Sequence, residues 1–274
     1  MTTPPLVPPA DPAAGPLGIA PAAGARRSSP HFAVLRAEAR LFLREPGNLL
    51  WVVGFPPVLL VLLGSVPLFR AARHDLDGLR LIDVYAPVTV LMGLIMASVQ
   101  AMPPLLAGYR ERGILRHMAM TPVRPSALIF AQMGLFGGAA LVSGLLSLAV
   151  GRLAFEVPLP REAFGYVLVL LLTAAAALAM GALVAATAAT AKNANAGGFT
   201  VSLPMLFSAG VWLPVQAMPD VLAHAIAFTP FGAAAGALGQ AAAGDWPAWS
   251  RLAALALWVI VLSYAARRWF RWEF

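Results

Sequence analysis

Long uncharged stretches alternate with short basic ones along this chain. Runs without Asp, Glu, Lys or Arg cover 49–69, 84–109, 125–151, 163–191 and 193–219, and a sixth, 246–266, admits only Arg251 near its start. About 20 apolar residues in a helix cross a bilayer, so the pattern predicts six spans, over about 49–69, 84–106, 125–151, 163–190, 195–216 and 246–267. Trp246 and Trp249 at the head of the last run suit an interfacial aromatic belt. A further apolar stretch, 221–244, carries only His224 as a polar ionisable group and is interrupted by Thr229-Pro230-Phe231-Gly232.

The first 29 residues read differently. Seven prolines among Ala and Gly cannot build a core, and this segment is expected to be a disordered cytoplasmic tail. It lacks the basic start followed by an apolar run that marks a signal peptide. Ser29 then offers an N-cap and Pro30 a first helical position. Arg36, Arg40 and Arg44 recur every four residues, with Phe32, Leu35, Ala39 and Phe42 on another face. This predicts an amphipathic helix lying in the headgroup layer; an ordinary soluble helix would show the same period. Residues 30–274 form a single transmembrane domain in this reading.

Charge settles the orientation. With six spans and both termini inside, the cytoplasmic segments hold thirteen basic residues (Arg26, Arg27, Arg36, Arg40, Arg44, Arg110, Arg112, Arg116, Arg124, Lys192, Arg267, Arg268, Arg271). The other side holds six: Arg70, Arg73, Arg80, Arg152, Arg161 and Arg251. Basic loops stay on the cytoplasmic side, and a seventh span over 221–244 would reverse the C-terminal tail. That stretch is therefore expected to form two short half-helices hinged at Pro230, dipping in from the outer side, with Pro214 and Pro219 preceding them. Irregular backbone persists at membrane depth only where protein or a water-filled cavity surrounds it.

Composition narrows the function. Of 274 residues 60% are hydrophobic and 11% charged, with a mean hydropathy of +0.78; soluble domains carry about 25% charged residues. Cysteine is absent, which removes disulfides and thiolate chemistry. The net charge of +7 is spread between apolar runs and suits membrane orientation, not nucleic acid. No acidic or basic residue lies near the middle of a span, where ion-driven transporters need one. There is no phosphate-cradling GxxxxGK[ST] loop. His31, His74, His117 and His224 stand in separate segments without carboxylates at ligand spacing, so no metal site is expected. The Phe207–Gly210 segment with His224 is a faint serine-protease pattern, outweighed by the habit of intramembrane serines to bond their own helix. With neither an energy source nor a reaction centre visible, uphill transport would need a powered partner.

One basic loop is built for contact. Glu111 to Met120 holds a single breaker, Gly113, and Thr121-Pro122 stops it. Arg112 and Arg116 lie one turn apart, with Ile114, Leu115 and Met118 free to pack. Topology signalling alone would also account for the arginines.

Three stretches together resemble the type-2 permeases of ATP-binding-cassette transporters, the group of daunorubicin-type drug exporters and polysaccharide exporters. "LREPGNLLWVVGFPPVLLVLLG" resembles the family's elbow helix entering the first span. "YRERGILRHMAMTPVRPSALIFAQM" is similar to its Glu-Arg-Gly…Thr-Pro coupling loop between the second and third spans. "LFSAGVWLPVQAMPDVLAHAIAFTPF" resembles its small residue-Gly…Pro…Pro pattern after the fifth. The long Pro-rich tail and the weakly basic His117–Met120 depart from the family pattern.

The resemblance implies an all-α integral membrane protein with an elbow helix, six transmembrane helices, a cytoplasmic coupling helix and outer half-helices before the last span. It implies a multi-pass subunit of a bacterial plasma membrane that pairs with a second copy of itself and with two copies of a separate ATPase. That partner would bind ATP and Mg, so this chain is not expected to be an enzyme by itself. ATPase coupling falls on Glu111, Arg112, Gly113, Arg116, Thr121 and Pro122, and an outer gate on Pro214, Pro219 and Pro230. By the family analogy a pathway between protomers is lined by spans one, two and five, here Met92, Met96, Gln100, Phe199, Ser202, Met205 and Phe207. Flexible Met and flat aromatic rings suit a broad hydrophobic binder. The expected cargo is an amphiphilic drug or antibiotic; the alternatives are a lipid-linked polysaccharide or lipid, or a non-transporting intramembrane enzyme or anchor. Gly134 and Gly138 make a GxxxG, a weak sign of dimerisation.

Overall fold

The computed structural model describes residues 30–72, 78–114 and 125–269. The expected N-terminal tail, and Arg116, Thr121 and Pro122 of the basic loop, lie outside the described residues. What is described is almost wholly helical. Helix α1, Pro30–Arg44, is followed after Glu45 by α2, Pro46–Ser65, which opens with a proline turn and runs through a π-helical segment at Leu50–Gly54. A single turn, Pro67–Arg70, then leads on to α3, Leu81–Glu111, interrupted by a π-helical segment at Met96–Ala101. Helices α4, Pro125–Phe155, and α5, Ala163–Thr187, are long and regular. They are followed by α6, Ala191–Ser208, the short α7, Asp220–Ala227, then α8, Pro230–Ala243, and α9, Trp249–Trp269.

Five helices (α2, α3, α4, α5 and α9) are long and apolar enough to cross a membrane, and the bent pair α7–α8 would make a sixth. Six spans were expected, and five helices are long and apolar enough to cross by themselves. The fifth run, expected to span 195–216, forms only the 18 residues of α6, whose first five residues include Lys192, Asn193 and Asn195. The helix stops because Gly210 takes φ +86, a left-handed conformation that a continuing helix cannot contain. The remaining apolar residues form a turn and the short 3₁₀ segment Val215–Ala217.

Helix α3 is the axis of the bundle: 83% of its most apolar window is buried, against 28% for α2 and for α9. It packs on α2, α4, α5 and α6. Close approach depends on small residues. A Cβ on Gly181 of α5 would stand 1.8 Å from the Ser98 carbonyl oxygen, and one on Gly198 of α6 would stand 2.3 Å from that of Val99. Those two carbonyls belong to the π-helical segment of α3, so two neighbouring helices seat their glycines on it. Such small-residue contacts replace the hydrophobic drive that lipid does not provide.

The two ends of the bundle are closed by different means. At one end Arg80 caps α3, pairing with Asp83 (Nη2–Oδ1 2.8 Å) and donating from Nη1 to the Phe155 carbonyl of α4 at 3.0 Å. Helix α8 reaches this end, where the Glu162 N–H donates to the Ala241 carbonyl at 3.0 Å. As the Pro230 break led us to expect, the α7–α8 pair is bent, by 102°. Pro230 is buried at the first position of α8, and Thr229 caps it, accepting from Gly232 N–H at 3.1 Å. The Trp258 indole of α9 donates to the Phe228 carbonyl at 2.7 Å, pinning the bend. At the opposite end, α1 packs across α4, with Phe42 edge-on to Phe136 at 5.2 Å.

Candidate functional site

Helices α2, α3 and α6 flank an open groove of about 880 Å³. Met92, Met96 and Gln100 line it from α3, four residues apart and therefore on one face. Phe199 and Leu203 line it from α6, and Asn48, Trp51 and Phe55 from α2. Trp51 and Phe55 stack at 4.8 Å, giving the α2 wall a flat aromatic surface. The polar groups are sparse amides, Asn48, Gln100 and Asn195, with no charged side chain on the lining.

Four of the expected pathway residues, Met92, Met96, Gln100 and Phe199, are thus brought together. Ser202 and Met205 are buried, and neither they nor the exposed Phe207 line the groove. Ser202 is fully occupied behind the wall: its hydroxyl donates to the Phe199 carbonyl at 2.8 Å and accepts from Gln100 Nε2 at 2.8 Å. The α2 aromatics and Trp212 were not foreseen, although Trp51 and Phe55 stand at helical spacing in the sequence.

The opposite feature of interest is the α3–loop junction. Glu111 was expected to open a coupling helix; it is instead the last residue of α3. Gly113, at φ +69, ends the helix. Arg112 is exposed and lies over the Tyr109 ring at 5.6 Å. The Glu111 carboxylate accepts a hydrogen bond from Ala191 N–H, the first residue of α6, at 2.9 Å. Beside it the Arg110 guanidinium donates to the carbonyls of Ala186, at 3.5 Å, and Ala188. From the residue just before Arg110, Tyr109 donates to Glu38 of α1 at 2.8 Å, and Gln132 of α4 donates to the same carboxylate oxygen. This polar cluster joins three helices; Gln132 is buried, and nothing in its local sequence announced a partner on α1.

Of the three expected gate prolines, each starts an element: Pro214 precedes the 3₁₀ segment, Pro219 precedes α7 and Pro230 opens α8. Fixed φ makes proline suited to such starts.

The family model described as ABC-2 type transporter matches residues 31–238, most of the chain. The chain belongs to the ABC-2 type transporter family. As an ABC-2 permease it is a multi-pass membrane subunit of an ABC transporter, and the membrane subunits of this family generally partner with ATPase subunits. The match takes in the groove, the α3–loop junction and most of the bent α7–α8 pair, and ends before α9. A comparison with curated proteins found no match.

Proposed function

We propose that this ABC-2 permease is the channel half of an ATP-driven exporter that carries amphiphilic, drug- or antibiotic-like molecules out across a bacterial plasma membrane. Two copies face each other, and two ATPase subunits holding ATP and Mg dock on the Glu111 side, which is cytoplasmic by its basic charge. The observation that carries the reading is the groove: it is open along one side, lined by Met, Phe and Trp, and dotted with amides but no charges. Polarizable, adaptable side chains with a few hydrogen-bonding groups accept varied flat apolar molecules. An open half-groove becomes an enclosed path when a second copy covers it. Acidic glycans would instead call for cations on the lining.

The test is ATP-dependent uptake of daunorubicin into inverted vesicles containing permease and ATPase. Uptake is expected, with a loss on Trp51→Ala or Phe199→Ala. ATP-dependent movement of a lipid-linked glycan, with no uptake of daunorubicin or ethidium, would reject the drug reading in favour of its polysaccharide alternative.

A further inference from the structure

Two consecutive residues at the end of α3 grip two opposite helix ends. The α5–α6 junction is short: α5 ends at Thr187 and α6 begins at Ala191, so a C-terminus and an N-terminus lie side by side. Helix C-termini leave carbonyls unpaired and carry partial negative charge; N-termini leave N–H groups unpaired and carry partial positive charge. Arg110 donates to the carbonyls of Ala186 and Ala188, and Glu111 accepts from Ala191 N–H at 2.9 Å. Each side chain therefore meets the end whose sign it matches. Thr190 already caps α6 locally, accepting from Asn193 N–H at 3.1 Å. Glu111 is thus an addition from another helix and not a substitute for a missing cap.

A second tie joins the same two helices. Gln100 of α3 meets Ser202 of α6 at 2.8 Å. The separations agree: 111 − 100 and 202 − 191 are both 11 residues. The antiparallel pair is therefore fastened at two points about 16 Å apart, at 1.5 Å per residue. Between the fasteners lie Asn195 and Phe199, which line the groove, and Gly198, seated on the α3 carbonyl. Past Glu111 the chain turns at Gly113 directly into the basic loop.

We propose that Arg110 and Glu111 are a positioning clamp: they pass displacement of the loop that follows them to the α5–α6 junction, so that the α6 wall of the groove moves with α3. Glu111 thereby acts on Ala191 N–H within the permease, not on a group of the ATPase. The inference deepens the ATP-driven reading above and rests on it for its transport consequences, but the clamp has a test that needs neither ATP nor substrate.

That test exploits a near contact. A Cβ on Gly108 would lie 3.7 Å from the Ala191 Cβ, inside the disulfide range of about 3.5–4.5 Å, and the natural chain has no cysteine to interfere. In membranes containing the permease alone, the Gly108→Cys/Ala191→Cys pair should cross-link rapidly with copper phenanthroline. Adding Glu111→Ala should slow this roughly tenfold, the scale of one lost charge-assisted hydrogen bond. An unchanged rate would overturn the clamp.

A second arm, in the complex with its ATPase, locates the partner of Glu111. Ala191→Pro removes the donor alone: proline is tolerated at the first helical position, and Thr190 at φ −132, ψ 163 already has the extended backbone required before proline. Ala191→Pro should lose daunorubicin-stimulated ATP hydrolysis as Glu111→Ala does. Glu111→Gln, which can still accept, should retain most of it, and the oxidised cysteine pair should restore it to Glu111→Ala. Full stimulation in Ala191→Pro alongside loss in Glu111→Ala would place the partner of Glu111 outside the chain and refute the proposal. If daunorubicin fails to stimulate even the wild type, the drug reading falls, and the cross-linking arm still decides the clamp.

Discussion

Single residues in this protein act through how close they let backbones come. Gly181 and Gly198 sit against main-chain carbonyls that cannot swing aside, at 1.8 and 2.3 Å from a notional Cβ. Gly181→Ala and Gly198→Ala should therefore each lower the melting temperature of the detergent-solubilised protein by several degrees or prevent its accumulation. Gly134 and Gly138 are the controls, since an added Cβ there meets nothing within 4 Å. Alanine at either should be neutral or stabilising by up to ~1 kcal/mol through helix propensity. Glu38 is a different kind of case. It accepts from both Tyr109 and Gln132, and Gln132 is buried. Glu38→Ala should cost about 1–3 kcal/mol by leaving those donors without their acceptor, read as a drop in thermal stability that Glu38→Gln partly repairs.

At the scale of elements, the α7–α8 bend has three causes that can be separated. Pro230 removes an N–H, Gly232 lets α8 pass the Ile226 carbonyl (an added Cβ would stand 2.2 Å away), and Trp258 holds Phe228 from outside. Gly232→Val should disrupt the pair outright. Trp258→Phe should loosen it, seen as faster labelling of a cysteine at His224 in an otherwise cysteine-free chain. The proline break was legible in the sequence because a missing donor is a local property of one residue. The end of α6 at Ser208 was not. Hydropathy registers composition, and the residues after Ser208 stay apolar while their backbone turns; only Gly210 signals the change. The same limit applies to the groove. Met92, Met96 and Gln100 could be placed on one face from their spacing. Ser202 faces α3 instead, a fact set by the crossing of two helices distant in sequence. Glu111 bonds a backbone N–H 80 residues away, and a main-chain donor leaves no trace in the choice of side chain.

For the whole molecule, the arrangement of ends makes a topological statement. The end of α8 meets the start of α5 at the Arg80 end, through Glu162 and Ala241, whereas the end of α9 lies beside Ser126 and Ala182 at the Glu111 end. Cysteines at His224 and Arg268 should be labelled from opposite sides of the membrane, and labelling of both from one side would overturn this orientation. Assembly is checked separately: native mass spectrometry of the complex should find two permease chains, and a single copy would leave the groove uncovered.

The π-helical segment at Met96–Ala101 works as a phase shifter. An α-helix advances about 100° per residue, and a π turn lodges one residue more than an α turn does. Everything beyond Ala101 is thus rotated by about that angle relative to an uninterrupted helix. Met92, which lines the groove before the segment, and Arg110 and Glu111, which meet the α5–α6 junction beyond it, are in phase only because of that surplus residue. Deleting Ala97 should relax the segment to ordinary α-helix and turn Glu111 by roughly a quarter of a revolution, away from Ala191, while composition, hydropathy and length stay almost unchanged. A variant nearly invisible to any count of residues would then be out of gear.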